Sequence, residues 1–177
     1  MTALARVIWL LSGMLWAAVS LVQFAHPNYW DPVTPLDWSA VWLYSGAWLL
    51  FVPSILFLGR LAPERPVMTV ATVVAIGALS TGLANAFEDG FGVSWMGTLY
   101  VVGVLTAGIS LLPLAVTLRR AGYSRLAGLS VALFAGLLTF TIGGGFVILV
   151  AFASLAAAPQ SFRAAPPEPG AAEASVG

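Results

Sequence analysis

Neither cysteine nor lysine occurs in the chain, and histidine occurs once. Without thiols there are no disulfides, no thiolate metal sites and no cysteine nucleophile. Without lysine no Schiff base can form, which excludes a retinal linkage along with the rest of that chemistry. The lone imidazole, His26, supplies one nitrogen ligand where zinc sites generally use several nitrogen or sulfur donors, so no metal is expected. Charge is also scarce: 8 % of residues are charged, against about a quarter in soluble domains. The formal net charge is zero, which removes the electrostatic case for nucleic-acid binding. Basic charge resides in arginine alone. Together with abundant alanine, glycine and valine, this composition reads as a GC-rich bacterial genome.

What the chain has in place of charge is apolar length. Five runs, Val7–Ala25, Trp38–Gly59, Val67–Phe87, Trp95–Leu118 and Leu126–Ala158, contain no Asp, Glu, Lys, Arg or His. Each approaches or exceeds the roughly 20 residues, at about 1.5 Å rise each, that a helix needs to cross the hydrocarbon of a bilayer. The predicted fold class is therefore an all-α integral membrane protein, a bundle of five transmembrane helices over residues 1–158. Residues 159–177, which include Ala164-Ala165-Pro166-Pro167-Glu168-Pro169-Gly170, have nothing bulky to bury and are predicted to be a disordered tail. The first run is too long for a signal sequence, and Ala18-Val19-Ser20, the best cleavage triplet, lies inside it. An uncleaved first helix is expected.

Arginine positions give an orientation. Arg6, Arg60, Arg65, Arg119, Arg120 and Arg125 fall on one side if the runs alternate, whereas Asp31, Asp37, Glu88 and Asp89 fall on the other. The positive-inside rule then makes the N-terminus cytoplasmic, and five spans put the C-terminus outside, in a bacterial cytoplasmic membrane. Arg163 alone disagrees. The last run carries Gly143-Gly144-Gly145, and splitting it there leaves pieces of 17 and 13 residues, the second too short to cross. One tilted or kinked helix is predicted, with the glycines marking close backbone packing. Small residues recur every four positions at Ala78, Gly82 and Ala86, and at Gly128, Ala132 and Gly136. These faces are expected to be helix–helix contacts, because lipid offers no apolar driving force for association and close backbone approach does. A faint repeat pairs Pro53…Leu58…Arg60 with Pro113…Leu118…Arg120, and Trp38, Tyr44 and Gly46 with Trp95, Tyr100 and Gly103. Membrane grammar, with aromatics at one interface and arginine at the other, yields the same pattern.

Polar residues concentrate on the predicted outer side. Asn85, Glu88 and Asp89 are spaced i, i+3, i+4 and share a helical face if the third helix continues that far. His26, Asp31 and Asp37 lie in the preceding outer loop, and Trp38, Trp42 and Trp95 crowd the same level. Two adjacent carboxylates beside low-dielectric surroundings resist simultaneous ionisation, which suits proton exchange or cation binding. The candidate ligand-binding set is Asn85, Glu88, Asp89, His26, Trp38, Trp42 and Trp95. The plainer reading stands beside it: interfacial aromatics form a membrane belt, and Glu88-Asp89-Gly90 is a solvated turn.

Catalytic motifs fail. Gly128-Leu129-Ser130-Val131 lacks the glycine after serine that the rhomboid-type motif carries, and no run holds a histidine to act as base. No Walker loop or dinucleotide fingerprint is present. No catalytic residue and no cofactor is expected.

The stretch His26-Pro27…Pro32…Val41-Trp42-Leu43-Tyr44 resembles the loop into the second helix of the tryptophan-rich sensory/translocator proteins. That resemblance implies a five-helix bundle with an outward-opening aromatic pocket for porphyrins and other hydrophobic ligands. The chain departs from the family pattern in lacking its double proline, in a shorter Trp-to-Tyr spacing and in having no Asn–Trp pattern in the third helix. The expected function is a non-enzymatic accessory or ligand-sensing membrane component that uses the outer aromatic–carboxylate surface. The expected partners are the lipid bilayer and a larger membrane complex or a second copy of the chain, with no nucleic acid. The alternative is a proton- or cation-linked small-molecule transporter, which the lack of ionisable residues at mid-membrane disfavours.

Overall fold

The computed structural model describes residues 2–25, 34–139 and 143–158. His26, Asp31 and the predicted tail lie outside the described residues. Six helices follow one another: α1 (Ala3–Ala25), α2 (Pro35–Leu61), α3 (Arg65–Phe91), α4 (Met96–Arg120), α5 (Ser124–Leu138) and α6 (Gly144–Ala157). The first four are long and apolar enough to cross a membrane, and α5 and α6 are shorter apolar helices. An all-helical architecture is what lipid demands. Only a helix or a closed barrel satisfies every backbone N–H and C=O without water.

Local sequence sets the helix ends. Thr34 caps α2: its hydroxyl accepts from the Asp37 amide at 3.3 Å, while the Asp37 carboxylate accepts from the Thr34 amide at 2.7 Å. Pro35 opens the helix, where its missing N–H is not needed. At the end of α4 the chain reverses through Gly122 at φ +88°. The Tyr123 amide donates to the Leu118 carbonyl at 2.9 Å and the Gly122 amide to the Arg119 carbonyl at 3.1 Å. That left-handed closure needs glycine.

Each helix packs against its neighbours in sequence, and α6 closes the ring against α1. The interior is filled by Trp9, Trp16, Trp48, Phe51, Leu111, Leu133 and Phe152, all buried. The outer surface carries Leu4, Met14, Leu21, Ile76, Val101, Leu105 and Ile109, all exposed, a surface suited to lipid and not to water. Arg6, Arg60, Arg65, Arg119, Arg120 and Arg125 sit at one end of the ring. Asp37, Glu88 and Asp89 sit at the other.

The expectation of one continuous fifth helix is not met. Gly143 adopts φ +101°, and α6 runs back alongside α5. A methyl group on Gly136 of α5 would sit 2.6 Å from the Ile148 side chain and 2.9 Å from the Gly144 carbonyl oxygen. Leu129 and Ala132 share a surface groove with Val150 and Ser154, which a merely kinked helix could not bring together. Against α1, Gly145 lies on the Trp16 carbonyl and donates its amide to the Ser20 hydroxyl at 3.1 Å, and Leu149 lies on Gly13. So α6 descends antiparallel to α1 and ends at the arginine end, where α1 begins, and not at the acidic end that a continuous helix would reach. The glycines have separate duties: Gly143 makes the reversal, and Gly144 and Gly145 make the close contacts.

The predicted small-residue faces are partly contacts. Ala78 and Gly82 are buried, with Gly82 on Leu49, and Gly136 packs as described, but a methyl at Gly128 would meet nothing within 4 Å. A further close crossing was not anticipated. A methyl on Gly77 of α3 would fall 2.5 Å from the Ala107 amide nitrogen and 2.8 Å from the Gly103 carbonyl oxygen of α4. Gly77→Leu and Gly136→Leu are each expected to destabilise the bundle by about 1–3 kcal/mol or more through overpacking. Gly108→Leu, whose new side chain meets open space, should leave the detergent melting temperature unchanged. Equal melting temperatures for all three variants would refute the assigned contacts.

Candidate functional site

The acidic end is built from the start of α2, the end of α3 and the start of α4. α3 continues through the polar residues, as the spacing of Asn85, Glu88 and Asp89 required, and ends where Gly92 turns left-handed at φ +72°. The Gly92 amide returns to the Glu88 carbonyl at 2.9 Å and the Val93 amide to the Phe87 carbonyl at 3.0 Å. This tight reversal brings α4 back beside the acids at once.

Glu88 lies against Gly97 in the first turn of α4, so close that a methyl there would overlap Oε1. Glycine at 97 is thus the seat of the carboxylate, a role that no spacing rule in the sequence revealed. The positive end of the α4 dipole favours an anion in that place. Asp89 is half-buried beside it. Both carboxylates lie within electrostatic range of the Tyr100 hydroxyl, one turn further along α4. That hydroxyl is 2.8 Å from the hydroxyl of Tyr44 on α2, so the two tyrosines that the faint repeat puts in correspondence meet directly.

Aromatic rings flank the acids. The Trp42 indole rests on Gly90, where a methyl would stand 2.8 Å from the ring, and meets Phe91 edge-on at 5.7 Å between centroids. Phe87 and Phe91 are also 5.7 Å apart. Trp38 and Trp95 are at the same end and exposed, Trp95 at 68 %, with no ring contact among the described residues. They behave as interfacial rings.

Asn85 has another role. It is buried, and its amide nitrogen donates to the Ser45 hydroxyl at 2.9 Å and to the Val41 carbonyl at 3.3 Å. It ties α3 to α2 one turn below the carboxylates. Asp37, part of the predicted polar group, is buried in its capping interaction with Thr34. The structure therefore brings together Glu88, Asp89 and Trp42 of the predicted residues, adds Gly97, Tyr100, Tyr44 and Phe91, and assigns Asn85 to packing. His26 lies outside the described residues. No described arginine is at this end. Among the described residues no three His, Asp or Glu side chains converge as a metal would require.

Deeper in the ring is an aromatic column that sequence reading passed over. Tyr44 meets Trp16 and Trp48 edge-on at 5.9 and 6.3 Å, Trp16 and Trp48 are 5.1 Å apart, and Phe51 joins Trp48 to Phe152 at 5.9 and 5.7 Å. The spacing Tyr44, Trp48, Phe51 on α2, opposite Ser12, Trp16, Ser20 on α1, was the available signal: one helical face on each.

No protein-family model, curated protein or solved structure matches the chain. The short resemblance to the tryptophan-rich sensory/translocator proteins gains no support from these comparisons.

The Asn85 geometry gives a direct test. Asn85→Leu should lower stability by about 0.6–1.7 kcal/mol, the range measured for hydrogen bonds between membrane helices. Ser45→Ala in the Asn85→Leu background should cost little more. Additive losses in that double-mutant cycle would mean that the two side chains do not act on each other.

Proposed function

We propose that this chain is a non-enzymatic multi-pass protein of a bacterial cytoplasmic membrane, an accessory or ligand-sensing component that recognises an organic cation at its acidic end. The observation that carries the proposal is Glu88 seated on Gly97 with Asp89 beside it, flanked by the Trp42 and Phe91 rings, at an end with no described arginine. Among the described residues no cation faces the two carboxylates, which leaves their charge to be balanced from outside. An aromatic face within reach of that charge adds about 0.5–2 kcal/mol for a desolvated cation.

A second reading, cation-linked transport, would use the same acids. It is less favoured because the ring interior below them is filled by Trp16, Trp48 and Phe51 and carries no ionisable side chain among its buried residues. The two readings separate in one experiment. Benzyltrimethylammonium should raise the melting temperature of the purified protein, and Glu88→Gln with Asp89→Asn should abolish that rise while leaving the unliganded melting temperature in place. Flux of the same probe into proteoliposomes would favour transport. No stabilisation of the wild-type protein by any quaternary ammonium probe would refute cation recognition.

The orientation proposed is arginine end in the cytoplasm, acidic end outside, by the positive-inside rule. With α6 descending to the arginine end, the first and last described helices both have their outer ends on the cytoplasmic side in this reading. The chain has no cysteine of its own, so single substitutions are clean reporters. A membrane-impermeant thiol reagent on intact cells should label Ser94→Cys and spare Ser124→Cys and Ala171→Cys. Labelling at 171 with protection at 124 would show that the chain ends outside.

A further inference from the structure

The seam between α4 and α5 is open at the arginine end. Where α3 meets α4 the backbones touch at Gly77 and Gly103, but α4 and α5 stand apart over an open groove of about 520 Å³ at the arginine end. Ala115 and Ala127 form its buried floor, Gly128 and Val131 its apolar wall, and Arg119 and Ser124 its polar rim. Gly128 has empty space where a side chain would be. Further along the same seam, toward the acidic end, a narrower groove of about 190 Å³ runs past Gly108, Phe134 and Leu138. Arg120 and Arg125 flank the rim in sequence, and among the described residues no carboxylate pairs with any of the three arginines.

An occupant of this seam must be apolar along most of its length and anionic at one end. We infer that the α4–α5 seam is a binding site for one anionic phospholipid, its phosphodiester held by Arg119 and Ser124 and an acyl chain lying over Ala115, Gly128 and Val131. A free phosphate would satisfy the rim alone and leave the apolar groove empty. A second copy docked here about a two-fold axis would bring its own Arg119 to the same depth, so that like charges face each other. α5 also opens without a side-chain cap on its first amides, which adds positive potential at the same end.

Ordinary annular attraction would treat every arginine at this end alike, so the test compares positions. Protein in phosphatidylcholine nanodiscs would be titrated with phosphatidylglycerol, and lipid retained per chain read by native mass spectrometry. One phosphatidylglycerol per chain is expected to be retained in preference to phosphatidylcholine. Arg119→Gln should reduce that preference about fivefold, the equivalent of one basic residue near an anionic surface. Arg60→Gln removes the same charge at the same end away from the seam and should leave it unchanged. Gly128→Leu fills the groove without altering charge and should displace the lipid, with circular dichroism confirming the fold. If Gly128→Leu does not fold, Val131→Trp offers the same obstruction from the neighbouring turn. Equal losses for Arg119→Gln and Arg60→Gln would overturn the proposal in favour of a diffuse field. Absence of phosphatidylglycerol preference, or a dimer that Gly128→Leu breaks, would overturn it outright.

Discussion

Close approach of backbones is the interaction on which the rest of this bundle depends. In lipid a leucine gains nothing by facing another helix in place of an acyl chain, so association must come from dispersion at short range and from hydrogen bonds between helices. The chain supplies the short range with glycine. Gly77 and Gly103 let α3 and α4 touch, Gly13 and Gly145 let α1 and α6 touch, and Gly136 and Gly144 let α5 and α6 touch. At Gly145 the space where a methyl would stand is already taken by the Trp16 carbonyl oxygen and the Ser20 hydroxyl. Each crossing is confined to a turn or so of helix, which leaves the interior wide enough between crossings for large rings.

Those rings do the filling that small residues cannot. Trp9 is anchored by its indole N–H, which donates to the Ser54 carbonyl at 2.9 Å, just past Pro53 inside α2. Trp16 and Trp48 are buried with indole nitrogens that have no hydrogen-bond partner among the described residues, as is the Ser12 hydroxyl one turn from Trp16. Burial of such groups without a partner costs on the order of 1–3 kcal/mol each. Trp16 and Trp48 stack edge-on at 5.1 Å between centroids, a geometry that adds to the burial of the rings. The column from Tyr100 through Tyr44 to Trp48, Phe51 and Phe152 fills the ring below the acids without an Asp, Glu, Arg or His among its buried side chains.

The long helices were legible because charge is absent from each run, but the runs stop short of the helix ends: α2 begins at Pro35 and not Trp38, and α3 runs to Phe91 and not Phe87, because polar residues can be helical where the apolar run has stopped. The hairpin of α5 and α6 was not legible, although two signals pointed to it. A run of 33 residues from Leu126 to Ala158 would extend about 50 Å as one helix, far beyond a hydrocarbon core of about 30 Å. Arg163 also fell on the wrong side under five spans. The shortness of the second piece favours one continuous helix, yet two antiparallel halves pack against α1 and α4 and need not each match the bilayer unaided. The site was legible in part for a similar reason. Helical spacing places Asn85, Glu88 and Asp89 on one face but says nothing about depth. One turn separates Asn85 at a helix–helix contact from Glu88 at the mouth of α4, and Gly97 has no side chain by which a sequence could announce that a carboxylate rests on it.

Depth also orders the charges of the whole molecule. Every described arginine sits at one end and the only described acids outside that end are Asp37, Glu88 and Asp89. The Asp37 carboxylate accepts from the amide and the hydroxyl of Thr34, whereas Glu88 and Asp89 stand beside the start of α4. At the opposite end Glu64 is the single described acid among six arginines. A bundle so polarised cannot pair its charges internally across some 30 Å of hydrocarbon, because the Coulomb energy gained at that separation is small beside the cost of moving either charge inward. Charge at each end must be balanced from its own medium, which is the common basis of the two proposals: an anionic lipid at the α4–α5 groove, whose rim carries Arg119, and a cation where Glu88 and Asp89 stand beside Trp42 and Phe91.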